Sequence, residues 1–188
     1  GGAVFGTNGA TIDITNSSLK YNSAVELGGA ICMYGTGVDN VAAQLNISHG
    51  VFFNNRARLG GAIYADEGQP TVFISDFSSF NQNLADYGGA VYLLNAKLVD
   101  HSSMYNMNTA GWYGGGLSLS SGSHSSFFNS SLVSNTAGNR GAGIYIAGSS
   151  SSPSFLNMSS VTLQSNKQIG GGTDGWNGGG GLYLYEKV

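Results

Sequence analysis

One two-part motif recurs along the whole 188-residue chain and limits what it can fold into. The first part is a glycine pair followed by a small residue and an aliphatic. It occurs as Gly1-Gly2-Ala3-Val4, Gly28-Gly29-Ala30-Ile31, Gly60-Gly61-Ala62-Ile63, Gly88-Gly89-Ala90-Val91, Gly114-Gly115-Gly116-Leu117, Gly141-Ala142-Gly143-Ile144 and Gly179-Gly180-Gly181-Leu182. Successive copies lie 27, 32, 28, 26, 27 and 38 residues apart. The second part precedes six of them: a large apolar residue, two variable residues, then Asn. These pairs are Leu19/Asn22, Phe52/Asn55, Phe80/Asn83, Tyr105/Asn108, Leu132/Asn135 and Leu163/Asn166. In the first five, Ala follows two residues after the Asn (Ala24, Ala57, Ala85, Ala110, Ala137); the sixth has Gln168 and a long insertion, 169–178. A period of this size is the signature of a stacked repeat architecture.

The unit reads as strands. Gly, Ser and Asn supply 75 of the 188 residues, and all three disfavour helix interiors. After each glycine pair the apolar residues alternate, as in Ile31/Met33, Ile63/Ala65, Val91/Leu93, Leu117/Leu119, Ile144/Ile146 and Leu182/Leu184. Residues at i and i+2 share one face of a strand. A second run (Ile12/Ile14, Leu45/Ile47, Val72/Ile74, Leu98, Phe127, Phe155) precedes each Asn motif, and the residue before Asn marks a third. One unit cannot bury its apolar face alone; stacked units can. The expectation is an all-β, right-handed parallel β-helix of six to seven coils, three short strands per coil, spanning 1–188 as a single domain. The hand follows from the bias of parallel crossovers. Six intervals at about 4.8 Å give a rod about 30 Å long.

Both motif parts are read as architectural. The Asn column (Asn22, Asn55, Asn83, Asn108, Asn135, Asn166) can hydrogen-bond its equivalents above and below and tolerates left-handed backbone. The glycines supply positive φ or let backbone pass closely at a corner. No lysine follows a glycine run as a phosphate loop requires. The chain opens at a rung without Met and closes just after one, so it reads as a fragment of a longer chain whose bare ends would meet neighbours end to end.

The repeat resembles that of the polymorphic outer-membrane proteins of chlamydiae and of related secreted proteins. Its cleanest copy is Phe52-Phe53-Asn54-Asn55-Arg56-Ala57 through Gly60-Gly61-Ala62-Ile63-Tyr64, and the next runs from Phe80 to Tyr92. Later copies drift, with Tyr105, Leu132 and Leu163 in place of Phe. The resemblance implies a pectin-lyase-like β-helix at the cell surface or outside the cell, in adhesion or surface architecture.

Other classes are excluded or disfavoured on composition. Only 9% of residues are charged and the net charge is −3. Seven scattered Lys and Arg do not make a nucleic-acid surface. No apolar run is long enough for a membrane span. A single cysteine, Cys32, excludes a disulfide framework and a multi-Cys metal site. Polysaccharide hydrolysis or lysis on such a coil needs clustered carboxylates. Here Asp13, Glu26, Asp39, Asp66, Glu67, Asp76, Asp86, Asp100, Asp174 and Glu186 are dispersed, and only Asp66-Glu67 adjoin. A Ser-His-Asp reading of Asp100, His101, Ser102 and Ser103 is weak, because sequence neighbours rarely share triad geometry. No catalytic residue, metal or cofactor is therefore expected.

Two surface features remain. By alternation Cys32, Tyr64, Tyr92, Ser118, Tyr145 and Tyr183 point outward, and the four tyrosines are candidate contacts for glycans or a partner protein. Four sequons (Asn16, Asn46, Asn129, Asn157) fall in the Ser-rich run before the Asn corner, and glycans there would line one side. The sequence reading is thus a non-enzymatic extracellular structural module: fibre subunit, stiff spacer or surface adhesin segment. It would self-associate end to end or bind other surface proteins. The alternatives are a carbohydrate-binding surface and a degenerate polysaccharide lyase or hydrolase.

Overall fold

The computed structural model describes residues 1–7, 9–35, 42–170 and 178–187. Asp39, Asp174 and most of the 169–178 insertion lie outside the described residues. Among those described there are 23 strands and no helix. They stack in parallel into four sheets of a β-solenoid with six complete coils and the first strand of a seventh. Each coil opens in sheet A (Val4–Thr7 in the first coil, Ile63–Asp66 in the third), follows the glycine corner, and continues to sheet B (Thr11–Thr15, Thr71–Ser75) and sheet C (Ser18–Lys20, Ser79–Asn81). Four coils add a short fourth strand, sheet D, after the Asn: Leu84–Tyr87, Thr109–Tyr113, Thr136–Ala137 and Lys167–Gln168. The three expected strands are present, and sheet D is an addition the alternation did not show.

Register follows the motif residue by residue. Val91 pairs with Ile63 and Leu117, and Ile144 with Leu182. The inward columns of sheets A, B and C fill the core with Ile, Val, Leu and Phe. The aromatics before Asn stack along the axis, with Phe52–Phe80 and Phe80–Tyr105 centroids 4.6 and 4.8 Å apart. One reading of the core is corrected. Phe155 lies on the outer face, half exposed. Leu156 and Met158 take the inward places by pairing with Ser125 and Phe127.

Each interior Asn side chain satisfies all of its hydrogen-bonding capacity. Asn83 Nδ2 donates to Asn108 Oδ1 at 2.9 Å and to the Phe52 carbonyl of the preceding coil at 3.1 Å. Its Oδ1 accepts from the backbone N–H and the Nδ2 of Asn55, both at 3.0 Å. The same set repeats at Asn108 and Asn135, so one ladder runs from Asn22 to Asn166. The ladder residues are not themselves left-handed. The residue before each one is: Tyr21, Asn54, Gln82, Met107, Ser134 and Ser165 have φ of 52–59°. A second left-handed bend joins sheets B and C at Asn16, His49, Ser102, Asn129 and Ser160.

The glycine corner is demanded twice over. The first glycine of the pair has positive φ, +56° at Gly28 and +65° at Gly60. A Cβ on the second, at Gly29 or Gly61, would strike the carbonyl oxygen of its counterpart one coil on. Ala142 is the exception at the second position. Hydrogen bonds from Gly141 N and Ala142 N to the insertion-bearing corner are 3.5 and 3.3 Å, against 3.0 and 3.1 Å at Gly28 and Gly29.

Three stability outcomes follow. Asn108→Ala strands the N–H and Nδ2 of Asn83 and the Phe80 carbonyl, and is expected to cost about 3 kcal/mol or more in urea unfolding. Asn22→Ala, at the half-buried end of the ladder, is expected to cost about 1 kcal/mol. Met107→Asn relieves an exposed, unbranched residue held left-handed and is expected to stabilise by up to about 1 kcal/mol in the same measurement.

Candidate functional surfaces

The tyrosine column points away from the coil interior but is not open surface. Tyr64 is 3% exposed and Tyr145 7%, while Tyr92 and Tyr183 are half-buried; Cys32 and Ser118 in the same column are buried. The positive-φ glycine turns the residue before it back over sheet A. Leu27, Leu59, Tyr87, Tyr113 and Arg140 form that covering column. Tyr113 stacks on Tyr145 at 4.7 Å, and the Arg140 guanidinium lies over both Tyr113 and Tyr183, 5.7 and 5.4 Å from their centroids. Tyr64–Tyr92 and Tyr145–Tyr183 are also stacked, within 7° of parallel. A pyranose stacks on an aromatic face, and here the faces are occupied by one another. The column is an external packing seam, and alternation alone could not reveal its cover. Burial pushes the Tyr145 hydroxyl up to about 12, and Tyr64, which donates to Asp66 Oδ2 at 2.6 Å, is raised further.

The sequons share one face. Asn46 and Asn157 stand in the middle outward column of sheet B, and Asn16 and Asn129 occupy the left-handed bend at its end. Asn16, Asn129 and Asn157 are exposed; Asn46 is half-buried and donates to Asp13 at 2.7 Å.

The described carboxylates are engaged separately. Glu26 pairs with Arg58, Glu67 accepts from Tyr34, and Asp76 accepts from Ser48 and Ser75, bonds that hold its carboxyl below the usual range. Asp66 and Glu67, adjacent in sequence, engage different tyrosines. Ser48 Oγ lies 3.0 Å from His49 Nδ1 and 2.8 Å from Asp76 Oδ2, which places the hydroxyl between the other two rather than at the end of a relay. Asp100 and His101 separate onto opposite faces of one strand. His101 stacks on Phe128 outside, at 4.8 Å.

Asp100 is wholly buried in the core, a position the charge inventory did not anticipate. It occupies the inward place that Ile74 and Phe127 hold in the flanking coils. Tyr105 donates to its Oδ2 at 2.7 Å and Ser130 Oγ to its Oδ1. The signal was present in sequence: Asp100 falls in phase with Leu98, and Tyr105 is the one ladder aromatic bearing a hydroxyl. Burial raises the Asp100 carboxyl, opposed by those hydrogen bonds. The folded state therefore holds the proton more tightly than the unfolded chain, so stability falls as pH rises from the ordinary carboxylate pKa through the raised one. Tyr105→Phe is expected to cost about 2 kcal/mol at neutral pH by removing a donor from the buried carboxylate. Asp100→Ile with Tyr105→Phe restores the pattern of the preceding coil. It is expected to match or exceed the parent and to flatten this part of the pH–stability curve, read by urea unfolding between pH 4 and 8.

No curated protein and no solved structure matches the chain. Residues 50–66, from the third strand of coil 2 through the glycine corner into the next rung, match the family model of the Chlamydia polymorphic membrane protein (Chlamydia_PMP) repeat, so this stretch of the chain is similar to that repeat.

Proposed function

We propose that this chain is a structural segment of a cell-surface protein, a stiff β-solenoid spacer that holds lateral surfaces at fixed distance and orientation. The observation that carries the reading is the unbroken Asn ladder. The six coils are clamped each to the next by the same pair of Asn bonds, buried at the interior links, so coil-to-coil coupling is uniform along the ladder. Stacked Phe52, Phe80 and Tyr105 and full-length parallel pairing in sheets A to C add stiffness along the same axis. The match at residues 50–66 supports a surface setting. The dispersed carboxylates, most of them engaged with separate partners, favour this reading over a degenerate polysaccharide lyase or hydrolase.

Electron microscopy of the native surface material, at a resolution that shows rung spacing, tests it. Straight rods or stalks with a repeat of about 4.8 Å are expected; a chain that bends between coils would overturn the reading. Incubation with a polysaccharide panel is expected to release neither reducing ends nor unsaturated uronates, and release by folded protein would reinstate the enzyme.

A further inference from the structure

One tyrosine of the sheet A seam is buried, bonded to a carboxylate and flanked by two further phenol rings. Tyr64 is 3% exposed and Asp66 6%. The Tyr64 hydroxyl donates to Asp66 Oδ2 at 2.6 Å, and the Glu67 backbone N–H donates to Asp66 Oδ1, also at 2.6 Å. Both side chains leave the same face of the strand Ile63–Asp66, two residues apart, so the strand itself holds the bond. Pairing sets Tyr34 of the preceding coil beside Asp66, and its ring stacks on Tyr64 at 6.4 Å. Tyr92 of the following coil stacks on the other side, 5.7 Å away and 7° from parallel. Tyr64 is thus the middle ring of three on successive coils, with a proton acceptor at its hydroxyl and almost no water around it.

We propose that Tyr64 and Asp66 form a one-electron redox site that Tyr34 connects to solvent, a property that goes beyond the spacer reading and does not depend on it. The oxidant is a diffusing one-electron acceptor of the peroxyl-radical class. It takes an electron from half-buried Tyr34, which Tyr64 refills through the ring contact. As the electron leaves Tyr64, its O–H bond breaks and the proton moves to Asp66 Oδ2. The products are a neutral phenoxyl radical on Tyr64, a protonated Asp66 and an oxidant reduced by one electron. A one-electron reductant reverses the step, and Asp66 returns the proton. Burial holds the Tyr64 hydroxyl well above its ordinary range, so the phenolate is closed to it and electron and proton must leave together. Burial also raises the Asp66 carboxyl, against the bonds from Tyr64 and Glu67, and so favours its taking the proton. The core holds a contrasting pair. Tyr105 donates to Asp100 Oδ2 at 2.7 Å, but its ring neighbours are Phe80 and Phe127, which are far harder to oxidise and give it no relay.

The test is flash oxidation of the whole chain with a ruthenium polypyridyl sensitiser and persulfate. The phenoxyl absorption band gives yield and lifetime, and electron paramagnetic resonance of the freeze-trapped sample identifies a hydrogen-bonded radical. The long-lived signal is expected to vanish in Tyr64→Phe and to form several-fold more slowly in Tyr34→Phe. Asp66→Asn keeps the shape but takes no proton, and is expected to cut yield and lifetime several-fold. Tyr21→Phe removes a tyrosine that is 70% exposed and leaves the long-lived signal unchanged. Circular-dichroism melting confirms that each variant is folded. A long-lived signal that survives Tyr64→Phe, that is lost with Tyr21→Phe, or that is indifferent to Asp66→Asn or Tyr34→Phe would overturn the proposal.

Discussion

A primary amide has two N–H donors and two lone pairs, and the rest of this structure depends on all four being used at one point of every interior coil. The ladder Asn closes a bond forward to the next Asn, a bond back to the carbonyl of the previous large apolar residue, and two acceptances from the preceding Asn. Because one of those acceptances is from backbone N–H, the side chain replaces a strand-to-strand bond at the bend where strand pairing would otherwise fail. Left-handed backbone one residue earlier aims the amide inward, and the aromatic stack beneath keeps water away. Serine does similar work at the other bend. Ser78 Oγ accepts from Gly50 N and donates to the Ser75 carbonyl. The unusual Asn, Ser and Gly content is thus the material of the corners, while Ile, Leu and Phe are the material of the strands.

The sequence exposes most of this because the repeat averages out local ambiguity. A single Gly-Gly or Phe-x-x-Asn decides nothing, but six copies in one phase fix the coil, the strand faces and the Asn column together. What it hides are features that depend on a third element. Alternation sends Tyr64 and Tyr145 outward correctly and is silent about the column that Gly60 and Gly141 fold back over them. It sends Asp100 inward, yet intuition about charge resists that until Tyr105 and Ser130 are seen waiting there. Phe155 and Leu156 show a different limit: where two apolar residues adjoin, a one-residue slip exchanges core for surface.

The differences between coils are where individuality resides. The uniform residues make a rod. The departures from uniformity give it an identity: Asp100 with Tyr105, Arg140 between two tyrosines, and one corner residue fewer in coils 2 and 3. A repeat architecture tolerates such departures because each coil bonds only to its neighbours, so a local change need only be accommodated by two others.

The amide-to-amide bonds of the ladder also have a direction, since each Asn donates to the Oδ1 of the next Asn on the C-terminal side. The C-terminal edge of each interior coil therefore presents one amide N–H and one backbone N–H at this bend. The next coil carries the accepting oxygen on its own Asn. A register slip at this bend would leave the Oδ1 lone pairs of the next Asn without these two donors.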